Sequence, residues 1–325
     1  TSGATEADNL AIKGVAAFHC NKGNHIITCA TEHKAVLDCC KRLEVQGCEV
    51  TYLPVDEHGL IDLVALEAAI TQRTVLISLM AANNEIGTLQ PVREIGQIAR
   101  KRDIYFHIDA VQAAGKLPVH SSDLDVDLIS ISAHKFHGPK GVGALYVKKG
   151  TRLRSLVYGG AHERNRRAGT ENVAQIVGLG RASELALEGM DTQGSQTTQL
   201  RNWFEKEVLN NIPDTSVNGH AELRLSNTTN IRFAGAESEG LIINLDLAGV
   251  ACSTGSACSS GAIEPSHVLT ELGLPPEEAF ECVRFSFSKD TTQADLMEVL
   301  DLLPVMVDRQ RSMSSPGNRA YSMIS

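Results

Sequence analysis

Residues 5–150 alternate between two periodicities, and this alternation constrains the fold more than any other feature of the chain. Helical spacing of apolar residues covers about 5–18, 33–46, 62–70 and 91–101. Short β-branched or aromatic runs fall between and after them, at 25–29, 49–53, 75–79, 104–108, 128–132 and 143–147. Asp62 and Pro91 suit helix starts. A chain that alternates in this way buries a mostly parallel sheet under helices on both faces, so the expected class is α/β. A second region is expected from about 195, with a helix around 198–210, strands near 228–233 and 281–287, and helices near 237–247, 265–272 and 292–310. The expected organisation is a large domain over 1–194 and a smaller α+β domain over 195–325. The polar stretch 190–199, with Gly194 and Ser195, reads as a link between helices, and the polar tail 312–325 as frayed. Residue 1 opens directly on a turn that should follow a buried strand, which points to an N-terminally incomplete chain.

Length and composition narrow the function classes. A chain of 325 residues, 42% apolar and 21% charged, supports a substantial core. A net charge of −9 argues against nucleic acid as a partner. No uncharged apolar stretch of membrane-spanning length and no signal-peptide pattern occurs, which argues against a membrane partner and for a cytoplasmic location, or an organellar one in a eukaryote. Eight cysteines occur without a Cys-x-x-Cys pair, so no metal site is expected. Cys20, Cys29, Cys48 and Cys282 read as small buried apolar side chains.

The chemistry gathers where strands end. Residues 127–141 read Asp-Leu-Ile-Ser-Ile-Ser-Ala-His-Lys-Phe-His-Gly-Pro-Lys-Gly, and 104–112 read Ile-Tyr-Phe-His-Ile-Asp-Ala-Val-Gln. Both runs deliver polar residues to the C-terminal ends of strands. Lys135 placed this way, with Asp109 on a neighbouring strand, is the layout that pyridoxal 5′-phosphate (PLP) chemistry needs. The lysine amine forms the Schiff base, and the aspartate keeps the pyridine nitrogen protonated so that the ring can accept electrons.

Other segments carry weaker signals. Residues 1–6, Thr-Ser-Gly-Ala-Thr-Glu, form a turn entering a helix, and the exposed amides with the Thr5 hydroxyl suit a phosphate. The same residue types also make ordinary caps. Ser132 and His134 suit the same phosphate. His33, at a helix start, could stack on a flat ring and relay protons near neutral pH as a catalytic residue, or be a surface or capping histidine. Asn83 and Asn84 could hold an oxygen or form a turn. Residues 159–172 are rich in basic side chains and read either as a solvated loop or as an anion-facing one reaching a neighbouring subunit. Residues 251–265 are small and polar around Cys258, which suits an accessible thiol. Arg284 lies within an apolar strand, where it needs a carboxylate, internal or from a substrate.

Together these motifs resemble the cysteine desulfurases of the NifS/IscS kind, class V aminotransferases within the fold-type-I PLP enzymes. The resemblance runs from residue 1 to about 310 on Thr-Ser-Gly-Ala-Thr-Glu, Thr-Glu-His-Lys, Asn-Asn-Glu-Ile-Gly, Asp-Ala-Val-Gln, Ser-Ala-His-Lys, Arg-Arg-Ala-Gly-Thr-Glu-Asn and Gly-Ser-Ala-Cys-Ser-Ser. It implies that Lys135 carries PLP, Asp109 faces the pyridine nitrogen, Gln112 meets the phenolic oxygen and His33 stacks on the ring. Ala4, Thr5, Ser132 and His134 would bind the phosphate, and Thr170 would reach the phosphate of the other subunit of a homodimer. Asn84 and Arg284 would hold the carboxylate of L-cysteine. Cys258 would take the sulfur as a persulfide, releasing alanine, and pass it to an iron–sulfur scaffold protein or another acceptor, where it could meet an iron–sulfur cluster. The rival expectations are a selenocysteine lyase or related aminotransferase, and an inactive truncated fragment.

Overall fold

A computed structural model of the chain describes residues 1–254 and 264–314. It has two units, the first made of 1–56, 60–83 and 89–190, the second of 57–59, 84–88 and the described residues from 191 on.

The first unit follows the alternation. Its elements are α1 (Ala4–His19), β1 (His25–Cys29), α2 (Lys34–Val45), β2 (Glu49–Leu53), α3 (Leu63–Ala69), β3 (Thr74–Met80), α4 (Val92–Lys101), β4 (Tyr105–Asp109), β5 (Leu128–Ser132), β6 (Gly143–Val147) and the start of α5 (Val173–Asn211). The strands line up as β2-β1-β3-β4-β5-β6, all parallel except β6, which runs antiparallel to β5. Central strands covered on both faces need an unbroken apolar run, and every residue of β3 is buried. Ile12 and Val15 of α1 and Val36 and Leu43 of α2 pack with Ile26 and Leu76 of the sheet. Asp62 starts α3 by accepting a hydrogen bond from Val64 N at 2.8 Å, and Pro91 stands at the start of α4. The strand order reverses between β1 and β3, and in open parallel sheets such a point opens a crevice at the strands' C-terminal ends.

The second unit contains the end of α5, β7 (Thr215–Asn218), β8 (Thr228–Phe233), α6 (Ser238–Leu247), α7 (His267–Glu271), α8 (Pro276–Ala279), β9 (Cys282–Ser286) and α9 (Gln293–Ser314). Its strands form the antiparallel sheet β7-β8-β9. Phe204 of α5 packs tilted against Phe285 and edge-to-face against Phe287, at ring separations of 5.2 and 5.8 Å, within a core that includes Ile231, Leu241 and Leu303.

The expected link at 190–199 does not exist, because α5 runs through it unbroken. The Thr197 and Thr198 hydroxyls satisfy themselves on the carbonyls of Gln193 and Gly194, so these polar residues do not compete for the helix's own amides. Among the expected buried cysteines, Cys29 and Cys282 are buried and Cys48 is half-buried, but Cys20 is exposed because it falls in the turn after α1.

Candidate active site

The sheet brings Asp109 and Lys135 to one edge. Asp109 ends β4, opposite Ser130 of β5. Lys135 stands on a 3-10 turn, Ala133–Phe136, directly after β5. Asp109 is buried, its Oδ1 accepting a hydrogen bond from Val111 N at 2.9 Å. Burial pushes its carboxyl up to about 6, against the pull of that hydrogen bond and of the Lys135 charge.

Alternation along the strands places a polar row one pleat below Asp109 on the same face. His107 bridges two serines, with Nδ1 2.8 Å from Ser78 Oγ and Nε2 2.9 Å from Ser130 Oγ, so the row crosses β3, β4 and β5. Burial holds the ring down to about 3, so it is neutral. Asp8 of α1 lies beneath with its Oδ1 3.7 Å from His107 Nε2. It is 1% exposed, and neither oxygen completes a hydrogen bond, although the nearby Ser130 hydroxyl draws its affinity for a proton down. Burial and the Asp109 charge raise Asp8 well above the carboxylate range, and do the same for buried Glu32, whose Oε1 accepts from Met80 N at 2.6 Å. None of Asp8, Glu32, Ser78, His107 and Ser130 was singled out by the sequence reading. For His107 and Ser130 the available signal was polar residues two apart in the otherwise apolar strands β4 and β5.

The phosphate candidates surround the start of α1. Its N-cap is Gly3, with no side chain capping the helix, so the first amides have no acceptor within it. A Cβ added at Gly3 would meet nothing within 4 Å, which leaves open space over these amides. At Gly143 a Cβ would collide with Ile131 O at 2.6 Å and with Gly3 at 2.8 Å, so only glycine lets β6 come this close to the turn. Thr5 is exposed and Ala4 half-buried. Ser132 Oγ lies 2.9 Å from His134 Nδ1, and burial together with the charges of Lys135 and Lys140 lowers the His134 ring.

The other expected residues of this unit sit in loops. His33 is the N-cap of α2, its Nδ1 accepting from Ala35 N at 3.1 Å. It is exposed, so capping does not exclude a flat ring above it. Asn83 is buried and committed to Thr31 O at 3.1 Å. Gln112 is half-buried in the turn after β4, its carbonyl accepting from Lys116 Nζ at 2.9 Å. Burial and the neighbouring Lys135 charge lower Lys116 to about 8, a second lysine that the sequence reading passed over. Thr170 is exposed between Gly169, φ 104°, and Glu171, whose Oε1 is 2.7 Å from His162 Nδ1.

In the second unit Arg284 of β9 donates from Nη1 to Asn84 O at 2.8 Å, and its main chain pairs with Ser253, the N–H to Ser253 O at 2.6 Å. Burial lowers the Arg284 guanidinium's affinity for its proton, against the pull of the buried Glu85 charge, and the Glu85 carboxylate also accepts from Ser266 Oγ, the cap of α7. Arg284 therefore has an internal acidic neighbour. Cys258 lies outside the described residues. Among the described cysteines, burial raises Cys39 and Cys252 to about 11 and Cys282 to about 12, which leaves them thiols at neutral pH.

A lysine amine at a strand end, a buried carboxyl beside it, a hydroxyl–imidazole pair and an open helix N-terminus are the donor set that PLP requires, and the residues fit that group. Residues 1–299 match the family model of class-V aminotransferases, and the chain belongs to that family. Within it, the chain is 52% identical over 314 residues to the cysteine desulfurase IscS of Dictyoglomus turgidum, covering 97% of this chain and 80% of the relative. It is 50% identical over 321 residues to that of Methanosarcina thermophila, covering 99% and 79%. A solved NifS-like protein superposes with a TM-score of 0.87 at 37% identity, over 95% of this chain and 81% of the other. SspA in complex with cysteine gives 0.77 at 38% identity, over 90% and 81%.

Proposed function

We propose that this chain is a PLP-dependent cysteine desulfurase that converts L-cysteine to L-alanine and carries the sulfur on Cys258. The observation that supports this most is Lys135 and buried Asp109 at the ends of adjacent parallel strands, in a chain half identical to curated cysteine desulfurases. PLP, when bound, supplies an electron sink that makes the substrate's α-proton acidic. Asp109 would oppose its charge to the cofactor's ring nitrogen. Ala4, Thr5, Ser132 and His134 would hold its phosphate, Gln112 its phenolic oxygen, and His33 would lie against the ring. Asn84 and Arg284 hold the substrate carboxylate. Lys135 Nζ takes the proton from Cα. The Cys258 thiolate attacks the substrate sulfur; the new S–S bond forms as the Cβ–S bond breaks, the proton given up by the substrate thiol goes to Cβ, and the proton held by Lys135 returns to Cα to complete alanine. The persulfide then passes to a sulfur acceptor such as an iron–sulfur scaffold protein. The enzyme works as a homodimer in which Thr170 serves the phosphate held by the partner subunit.

The test compares Cys258→Ser with Cys252→Ser in alanine release from cysteine and in persulfide labelling. Cys258→Ser should keep the PLP absorbance and lose both products, because a hydroxyl attacks sulfur far more weakly than a thiolate. Cys252→Ser should stay active. Normal alanine release by Cys258→Ser would overturn the role.

A further inference from the structure

We propose that Glu6 and Arg167 are positioning residues that couple the two active sites of the dimer. The proposal rests on the shared-site reading, in which Thr5 serves the phosphate of its own subunit and Thr170 that of the partner subunit. Glu6 directly follows Thr5. Arg167 precedes Thr170 by three residues in the 159–172 loop. The two side chains join these segments as a fork, Arg167 Nε to Glu6 Oε1 at 2.9 Å and Nη2 to Oε2 at 3.4 Å.

Both ends of the fork are tied into the segments that carry Thr5 and Thr170. Glu6 also accepts from Ser2 N at 3.0 Å and Ser2 Oγ at 2.6 Å, so its carboxylate is tied into the phosphate turn. These bonds and the Arg167 charge more than offset burial and hold the acid at about 2, so it is ionised throughout the working range. At the other end, Glu163, Arg164 and Asn165 all lie in the left-handed region, with φ of 46°, 57° and 63°. Three consecutive side-chain-bearing residues stay there only when the surroundings hold them. The holding bonds include Asn165 N to His162 O at 2.9 Å, Ala168 N to Val157 O at 3.3 Å, and the His162–Glu171 pair at 2.7 Å that flanks Thr170. Arg167 and Thr170 thus lie in one segment held by these bonds. Phosphate captured on one subunit's turn fixes Glu6, Glu6 fixes Arg167, and Thr170 is placed for the other site. A group already ordered costs the second ligand less to bind, which is positive coupling.

The experiment titrates the apo-dimer with PLP by absorbance and extracts the two intrinsic binding constants after the statistical correction. The second step should be tighter by about fivefold or more, the lower range of such couplings. Hydrogen exchange of residues 159–172 should slow on the first step. Arg167→Gln and Glu6→Gln should each bring the two constants together. The double variant should go no further, and Arg167→Lys, which keeps charge but not the fork, should fall between. Sedimentation confirms that each variant remains a dimer, and one that does not is replaced by the Lys variant. Equal constants in the wild type, or an unchanged ratio in Arg167→Gln, would overturn the proposal. A separate mixed-dimer test of Thr170 reports on the shared site. If that test supports sharing while Arg167→Gln keeps the ratio, only the coupling role falls.

Discussion

At the scale of single residues, the site stores its chemistry as an unfavourable burial. Asp109 is raised from 3.8 to about 6, so the folded apo-protein binds this proton more tightly than the unfolded chain does. The sign follows. This contribution to stability is complete below pH 3.8 and is lost as the pH rises through about 6. At pH 7 the ionised carboxylate costs about 3 kcal/mol relative to a group with no shift. Apo Asp109→Asn should therefore be more stable than the apo wild type at pH 7, by up to about 3 kcal/mol, and no more stable near pH 4. The same variant should bind PLP more weakly, since it cannot oppose a charge to the ring nitrogen. Urea unfolding of the apo-proteins at both pH values, beside PLP titration, checks this. A variant less stable at pH 7 would mean that Asp109 is already paired without the cofactor.

At the scale of elements, the strands were legible because each is a short apolar run set between helical spacings. Five of the expected segments coincide with β1, β2, β5, β6 and β8 at both ends. β7 escaped because Thr-Ser-Val-Asn has no apolar alternation, and α8 because it is a single turn begun by two prolines. Lys135 and Asp109 were legible because they interrupt apolar runs at strand ends. The Ser78–His107–Ser130 row was not, because its meaning depends on which strands become neighbours, and the order β3-β4-β5 is a tertiary fact. That row makes a prediction for the sheet. His107→Leu strands two buried hydroxyls at about 1–3 kcal/mol each, so it should lower stability by roughly 2–6 kcal/mol. Adding Ser78→Ala and Ser130→Ala should restore much of that loss, because removing every polar partner is less costly than removing one. No recovery in urea unfolding would show that the loss comes from packing. The helices offer a paired test. Gly194 in α5 has nothing within 4 Å of an added Cβ, so Gly194→Ala should stabilise by about 0.5–1 kcal/mol. In α4 a Cβ on Gly96 would lie 2.0 Å from Leu124 O, so Gly96→Ala should destabilise by about 1–3 kcal/mol. Thermal unfolding of the pair should move in opposite directions.

At the scale of the whole molecule, three apolar side chains flanking the Thr170 loop stay uncovered among the described residues. Tyr158 is 83% exposed, Val173 65% and Val177 66%. Apolar residues gathered in this way mark contact surfaces, and their position on both sides of 159–172 favours a dimer that brings this loop to the other subunit. Thr170→Ala should weaken PLP retention by about ten- to hundredfold, the worth of one hydrogen bond to a charged group, with the subunit fold kept. The decisive form mixes two differently tagged chains, Thr170→Ala and Lys135→Ala, and purifies the heterodimer. If Thr170 serves the partner subunit, the site that keeps Lys135 receives an intact Thr170 from the other chain and should hold PLP as tightly as the wild type. The second site lacks Lys135 and receives alanine, so it should hold little. If Thr170 acts within its own subunit, the site with Lys135 has lost it, and retention should match the weakened Thr170→Ala homodimer. The two outcomes differ by the full effect of the substitution, so one dissociation measurement on the heterodimer decides whether the active site belongs to one chain or two.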